Sequence, residues 1–187
     1  MKKAVPLLIT YYLNFVVLLV LLLFMYFNVD KQNSDDTFWL LLIVLYALWF
    51  LVFIGSLVRL IAGSIKELRN NDTKALIASV KLLKLASIPY FIINFALCAI
   101  IGLLFVVVSR GLGLIFLPIP VVLTWLTMLS TSMSSLFLLA ALRKNRAATA
   151  GYVMKHAILQ LFFVIDIISA LFIVKRARAF LAKLPEV

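Results

Sequence analysis

The sequence has almost none of the side chains on which metal and redox sites depend. Its 187 residues include one cysteine, Cys98, and one histidine, His156. A single thiol excludes an internal disulfide and a CxxC motif, and a single imidazole excludes a histidine-based metal cluster. The motifs HExxH, GxSxG and Walker A are missing as well. We therefore expect no metal, no cofactor and no enzymatic activity.

Acidic residues are scarce too, since 7 Asp and Glu stand against 18 Lys and Arg, which gives a formal net charge of +11. In a soluble protein such an excess would suggest nucleic acid. Here the basic residues stand at the ends of apolar runs, without a basic patch interleaved with aromatics. They are interpreted as topology signals and as contacts to anionic lipid, and we expect no nucleic-acid partner.

What the chain has in excess is apolar sequence. Hydrophobic residues make up 66% of it, and the mean hydropathy is +1.19. A soluble domain is about 45–50% apolar, and a water-soluble fold of this length has too little interior to hide so much apolar surface. In lipid, backbone groups must be satisfied internally, and long continuous runs favour helices over barrel strands. The sequence thus predicts an all-α integral membrane bundle of about five transmembrane helices.

Five apolar runs define the predicted spans within a single transmembrane domain, residues 1–187. They cover residues 5–27, 38–62, 88–108, 120–142 and 157–174. Pro118 and Pro120 divide the longest run, so the fourth span is expected to begin near Pro120. Residues 64–87 carry lysines spaced among apolar residues. They predict either an amphipathic helix on the cytoplasmic surface or a cytoplasmic extension of the third span.

The distribution of basic residues predicts a multi-pass protein with a cytoplasmic N-terminus. Lys2 and Lys3 precede a first apolar run that is too long for a signal peptide. With five spans, the outer loops hold only Lys31 and Arg110, in agreement with the positive-inside rule. The basic tail after residue 174 would then lie outside, against that rule. The alternative is a last run that is re-entrant or lies flat, but its continuous sequence, without Pro or Gly, favours a span.

Two basic groups are expected to contact anionic headgroups on the cytoplasmic side. They are Lys74, Lys81 and Lys84 in the amphipathic segment, and Arg143, Lys144 and Arg146 after the fourth span. The lipid bilayer is therefore the expected partner. Another membrane protein or a second copy of the chain is a further candidate partner.

Asp166 stands in the middle of the last run (LQLFFVIDIISALF), where an ionised carboxylate is costly unless it is paired. No Lys or Arg lies at the same predicted depth in another span, so neutral donors are the expected partners. The candidates for an intramembrane polar site around it are Asn94, Thr127, Thr131 and Gln160. Three roles stay open for this site: a structural hydrogen-bond hub, proton or cation handling, and recognition of a partner protein.

Hydroxyl side chains recur at intervals of three and four in the fourth span, at Thr124, Thr127, Thr131 and Ser135. Helix geometry puts them on one face. Small residues at such a spacing let helices approach closely, so this face is interpreted as a packing seam, with a substrate path as the alternative.

Three segments carry a resemblance to a known family: IPYFIINF (88–95), TWLTMLSTS (124–132) and ILQLFFVIDIIS (158–169). Through them the chain resembles an uncharacterised family of small multi-span membrane proteins from Gram-positive anaerobic bacteria. The resemblance covers roughly the second half of the chain and implies a bacterial plasma membrane. Size and basicity are also similar to the substrate-binding subunits of energy-coupling vitamin transporters. The first span, however, has only bulky residues where those subunits carry a small-residue docking motif.

Two functional hypotheses follow. The first is a non-enzymatic membrane protein that acts through helix–helix contacts, as an accessory or immunity-type subunit. The second is a small transporter or transporter subunit, with a polar intramembrane site around Asp166. Transport predicts that Asp166 faces a water-accessible cavity, whereas a packing role predicts a dry interior where neighbouring hydroxyls satisfy its oxygens.

Overall fold

The computed structural model describes residues 3–28, 36–108 and 118–183, and all regular structure in these ranges is helical. Six helices follow one another in these ranges: α1 (Val5–Asn28), α2 (Asp36–Arg69), α3 (Thr73–Val108), α4 (Pro118–Lys144), α5 (Ala150–Leu159) and α6 (Phe163–Leu181). The prediction of an all-helical bundle is confirmed for this part of the chain. Lys2 and the predicted outer-loop residues Lys31 and Arg110 lie outside the described residues.

Three helical stretches in the described ranges are long and apolar enough to cross a membrane. They are Ile43–Arg69 in α2, Thr73–Ile100 in α3 and Thr124–Lys144 in α4. They correspond to the predicted second, third and fourth spans. The 36 residues of α3 extend over about 54 Å, which exceeds the ~30 Å hydrocarbon core of a bilayer. These helices are compatible with a membrane protein.

The segment over 64–87 is not a separate helix. Its first residues complete α2, a short turn follows, and α3 then runs without interruption through Pro89, which was expected in the first turn of a span. At the turn, Asn71 has a φ of 54°, a left-handed value that Asn tolerates better than most residues. The Asp72 carboxylate accepts a hydrogen bond from the backbone N–H of Ala75 at 3.0 Å, which caps the start of α3.

The last apolar run forms two helices rather than the single helix predicted over 157–174. A turn at 160–162 separates α5 from α6. Near the end of α6, Arg176 lies beside the connection between α4 and α5, where its Nε donates to the Ala147 carbonyl at 2.9 Å. The Arg176 guanidinium also lies over the Tyr152 ring of α5, 4.3 Å from the centroid. α5 and α6 therefore form a hairpin whose two outer ends lie together.

A donor on α4 stabilises the turn of this hairpin. A break in a helix leaves carbonyl oxygens without their usual partners. Trp125 Nε1 donates to the Leu161 carbonyl at 3.4 Å, and Ser132 Oγ lies 3.5 Å from the Gln160 carbonyl. Trp125 lies about 28 Å along α4 from Lys144, the last residue of that helix. The turn of the hairpin is therefore nearer to the start of α4 than to its end. The run contains no Pro or Gly at this point, so its sequence looks continuous.

Two buried clusters hold the helices together. The aliphatic cluster joins α3, α4 and α6, and it includes Leu76, Val80, Leu138, Leu142 and Ile173. The aromatic cluster joins α1, α2 and α3, and its rings are Tyr11, Trp49, Phe53, Tyr90 and Phe91. Tyr11 stacks on Tyr90 with centroids 5.2 Å apart, and Trp49 stacks on Phe53 at 5.6 Å. The outer faces of the described helices carry many large exposed apolar side chains.

One end of the bundle gathers contacts made by basic residues, and we call it the basic end. Lys3 forms an ion pair with Glu67 and donates to Ser64 Oγ at 3.0 Å, which joins the start of α1 to the end of α2. Lys144 Nζ donates to the Leu68 carbonyl at 3.2 Å. The contact of Arg176 with the α4–α5 connection lies at this end too, because α4 ends here. The end of α6 therefore lies on the same side of the bundle as the start of α1.

Candidate functional site

A buried ion pair joins α3 to α6. Lys84 pairs with Asp166, and their side chains are only 5% and 1% exposed. Lys84 Nζ also donates to Thr131 Oγ1 at 3.2 Å and to Ser132 Oγ at 3.0 Å, both on α4. Ser132 Oγ lies 3.1 Å from Asp166 Oδ1, to which it donates. These four side chains are called the ion-pair network, and through it three helices share one set of polar contacts.

Helix geometry explains how the two charges meet. Ile77, Val80, Lys84 and Ser87 are all buried, and their spacing of three and four puts them on the face of α3 that packs inward. Asp166 lies in the first turn of α6, where the helix dipole favours a negative charge. The packing of α3 against α6 brings these two faces together.

Lys84 therefore does not lie at the headgroups, where it was expected together with Lys74 and Lys81. Because the third span was predicted to begin at Ile88, Lys84 was expected to lie outside the membrane. α3 is continuous through this region, and Lys84 is only about 6 Å along the helix from that boundary. The expectation that Asp166 has only neutral partners is corrected for the same reason. The buried spacing that Lys84 shares with its neighbours on α3 is the signal that would have identified it.

Gln160, another predicted site residue, lies beside the ion-pair network at the tip of the hairpin. Its Nε2 donates to the Asp166 carbonyl at 3.4 Å and to Ser169 Oγ at 3.2 Å. Its Oε1 is buried and has no hydrogen-bond partner among the described residues. Of the predicted site, the structure thus brings together Asp166, Thr131 and Gln160.

His156 extends the polar contacts from this tip along α5. Its ring is buried, its Nδ1 lies 2.8 Å from Ser169 Oγ, and it packs against Tyr152 with centroids 4.2 Å apart. His156 therefore contributes to the contact between α5 and α6.

Asn94 and Thr127 lie apart from the ion-pair network. Asn94 Nδ2 donates to Thr124 Oγ1 at 2.7 Å, which links α3 to α4 two helical turns away from Thr131. Thr127 Oγ1 donates to the Thr124 carbonyl at 2.7 Å, within its own helix. The residues predicted to form one polar site are thus divided between the ion-pair network, with Gln160 beside it, and a separate group around Asn94 and Thr124.

The hydroxyl face of α4 lies between its neighbours. Thr127, Thr131 and Ser135 are buried, and Thr124 is half-buried. Thr131 Oγ1 donates to the Met128 carbonyl at 2.8 Å, the back-bonding typical of hydroxyls in a helix. Among the described residues, α3 and α4 make the most extensive helix–helix contact. This geometry favours close packing over a path for a substrate.

The other basic residues expected at headgroups lie at the surface. Lys74, Arg143, Lys144 and Arg146 are exposed, whereas Lys81 is half-buried. Arg143, Lys144 and Arg146 line a pocket of about 510 Å³ at the α4–α5 connection, together with Arg176.

A family of unknown function, DUF6652, matches residues 2–179 of the chain. The chain belongs to this family. The match includes all four members of the ion-pair network, and it reaches well beyond the second half of the chain on which the resemblance was based. No curated protein and no solved structure matches this DUF6652 chain.

The chemistry available to this DUF6652 protein follows from the ion-pair network. Among the described residues, no three His, Cys, Asp or Glu side chains lie close enough together to hold a metal ion. The Asp166 oxygens already accept hydrogen bonds from Lys84 and Ser132. As it stands, the network fixes α6 against α3 and α4.

Proposed function

We propose that this protein is a non-enzymatic integral membrane protein of the bacterial plasma membrane, which acts through helix–helix contacts as an accessory or immunity-type subunit. The closed ion-pair network carries the proposal. Asp166 is buried, and its oxygens are engaged by Lys84 and by the Ser132 hydroxyl. A buried carboxylate whose oxygens are satisfied by neighbouring side chains is what a packing role predicts.

The proposal includes a topology in which α1 to α4 cross the membrane and the α5–α6 hairpin enters and leaves from the cytoplasmic side. Its support is the position of Arg176, which bonds the Ala147 carbonyl near the basic end. Lys3 and Lys144 lie at that end as well. The basic tail then lies with the other basic residues, and the conflict with the positive-inside rule that five spans create disappears.

Labelling of single cysteines tests this topology. In a Cys98→Ser background, cysteine is introduced at Ala182, near the end of the hairpin, and separately at Ser34, in the predicted outer loop. A membrane-impermeant maleimide added to intact cells is expected to label position 34 only, and to label position 182 after lysis. Labelling of position 182 from outside intact cells would contradict the hairpin topology.

Photo-crosslinking in the native membrane tests the role as a subunit. A photoreactive residue replaces one exposed apolar side chain on each helix: Ile9, Leu51, Phe95, Val121, Met154 and Phe172. A subunit that docks through one face is expected to give a protein adduct of one defined mass at neighbouring positions, and lipid adducts elsewhere. Lipid adducts alone at all six positions would reject the subunit role.

A small transporter with its site at Asp166 is the second candidate, and one observation favours it. A groove of about 340 Å³ between α3 and α6 opens to the outside, and Lys84 is among its lining residues. If Lys84 released Asp166, the carboxylate would lie close to this groove and could accept a proton or cation.

Liposomes that contain the purified protein and a trapped pH-sensitive dye separate the two candidates. Under an imposed pH gradient, we expect the flux of the wild type to equal that of empty liposomes. Asp166→Asn is compared with Asp72→Asn, a matched control at an exposed turn where Asn caps a helix as well as Asp does. A wild-type flux that Asp166→Asn abolishes and Asp72→Asn preserves would replace the subunit proposal with transport.

A further inference from the structure

The groove between α3 and α6 has apolar walls that nothing in the described chain covers. Leu85 of α3 and Ile167, Leu171 and Val174 of α6 line it. Lys84 contributes only its hydrocarbon stem, because its Nζ is engaged in the ion-pair network. A hydrocarbon chain is apolar, so an apolar groove of about 340 Å³ on the outside of a membrane bundle is suited to bind one.

Three cations line the same groove: Lys81, Lys175 and Arg178. Lys175 and Arg178 are exposed, and Lys81 is half-buried. None of the three forms an ion pair within the described ranges, and Asp166, which lies close by, is already bound to Lys84. Within the described ranges, the groove therefore offers positive charge that no carboxylate balances.

The cationic and the apolar lining residues occupy successive segments of α6. Arg178 and Lys175 are nearest the basic end, and Leu171 and Ile167 lie further towards the hairpin turn. From Arg178 to Ile167 the helix rises about 16 Å, which is close to half of the ~30 Å hydrocarbon core. An amphiphile with a headgroup at the basic end thus has room for a chain in one leaflet.

We infer that this groove binds one phospholipid with an anionic headgroup. Its phosphate contacts Lys81, Lys175 and Arg178, and one acyl chain lies along Leu171 and Ile167. The guanidinium binds phosphate through two parallel hydrogen bonds, while the lysines act as point charges. The bound lipid bridges α3 and α6 on the outside, where the ion-pair network bridges them inside. This inference needs the membrane location proposed above, but not the role as a subunit.

Thermal unfolding of the full-length protein in mild detergent provides the test. Phosphatidylglycerol is expected to raise the Tm and to reach saturation at one lipid per chain. Phosphatidylcholine lacks the net negative charge and inorganic phosphate lacks the acyl chains, so neither is expected to match it. Equal stabilisation by phosphatidylcholine, or by phosphate alone, would overturn the inference.

A charge-matched pair of variants locates the site. Lys81→Gln/Lys175→Gln/Arg178→Gln removes three charges at the groove, and Lys74→Gln/Arg143→Gln/Arg146→Gln removes three exposed charges elsewhere. Affinity for phosphatidylglycerol should fall about fivefold for each charge lost at the groove, and it should stay near the wild-type value in the control. Equal losses in both variants would mean diffuse surface attraction and would reject a defined site.

A third variant covers the case in which the groove triple fails to fold. Leu171 is 57% exposed and Leu51, on α2 away from the groove, is 66% exposed, so replacing either with Ser spares the core. Leu171→Ser is expected to weaken phosphatidylglycerol binding with an unchanged lipid-free Tm, and Leu51→Ser is not. Equal binding by the two variants would overturn the inference. The crosslinking result is independent of this outcome, because it detects protein adducts rather than lipid.

Discussion

Two hydrogen-bonded regions link the helices inside the bundle, one charged and one neutral. The charged region is the ion-pair network between α3, α4 and α6. The neutral region surrounds the aromatic cluster, where Tyr11 OH donates to the Thr127 carbonyl at 3.2 Å and contacts Ser130 Oγ. There too, Trp49 Nε1 donates to the Thr10 carbonyl at 2.9 Å and ties α2 to α1.

The two regions differ in what is left behind when one partner is removed. A buried neutral donor or acceptor without a partner costs about 1–3 kcal/mol. A buried charge without its partner costs about 3–5 kcal/mol, because the interior cannot solvate it. The polar contacts of α1 in the neutral region are thus individually small and supported by ring stacking, whereas the ion pair of α6 is one large polar interaction beside its apolar packing.

Removing the ammonium from the charged region has the largest expected effect. Lys84→Met leaves Asp166 buried without a counter-ion and should lower the free energy of unfolding by about 3–5 kcal/mol. Chemical denaturation in detergent measures the loss. Lys81→Met removes the same group from the neighbouring groove and should change stability by no more than about 0.5 kcal/mol. Equal stability of the two variants would show that the buried pair does not hold α6.

Replacing both charges should restore most of this loss. Lys84→Met/Asp166→Leu leaves apolar side chains of similar size in place of the pair, and such replacements are often neutral or stabilising. We expect the double variant to be more stable than either single variant, with a coupling energy of about 2–3 kcal/mol in a double-mutant cycle. Additive losses would contradict direct coupling of the two residues.

The neutral region should respond less to the loss of a hydrogen bond. Tyr11→Phe keeps the ring stacked on Tyr90 and removes only the hydroxyl, so the expected loss is about 1 kcal/mol. Tyr12→Phe is the control, because the Tyr12 hydroxyl bonds the Ala86 carbonyl at an exposed position. It should cost less than Tyr11→Phe in the same denaturation experiment. A loss for Tyr11→Phe as large as that for Lys84→Met would remove the distinction between the two regions.

The helical elements could be predicted because their causes are local. Long apolar runs select helices in lipid, and Pro118 and Pro120 mark the start of α4, since proline is tolerated in a first turn. The turn at 160–162 could not be predicted this way. The Leu161 carbonyl accepts from Trp125, which belongs to another helix, and the run itself contains no Pro or Gly to indicate the break.

The candidate site was predicted only in part, for a similar reason. Asp166 was identified because a carboxylate in an apolar run needs a partner. Its partner was missed because depth was inferred from where the third apolar run begins, and Lys84 stands before that point. Asn94 was grouped with Asp166 on depth alone, although α4 gives it a separate partner, Thr124. The apolar pattern indicates how deep a residue lies along its helix. It does not indicate which neighbouring helix the side chain faces, because helix packing decides that.

The two charges of the buried pair stand 82 positions apart, and this separation sets an order of assembly. α3 is synthesised before α6. Lys84 therefore has no counter-ion in the nascent bundle until the α5–α6 hairpin has been added. The ion-pair network is therefore complete only when α6 has packed against α3 and α4. A chain that stops early keeps a bare ammonium between its helices, a defect that chaperones and proteases can recognise.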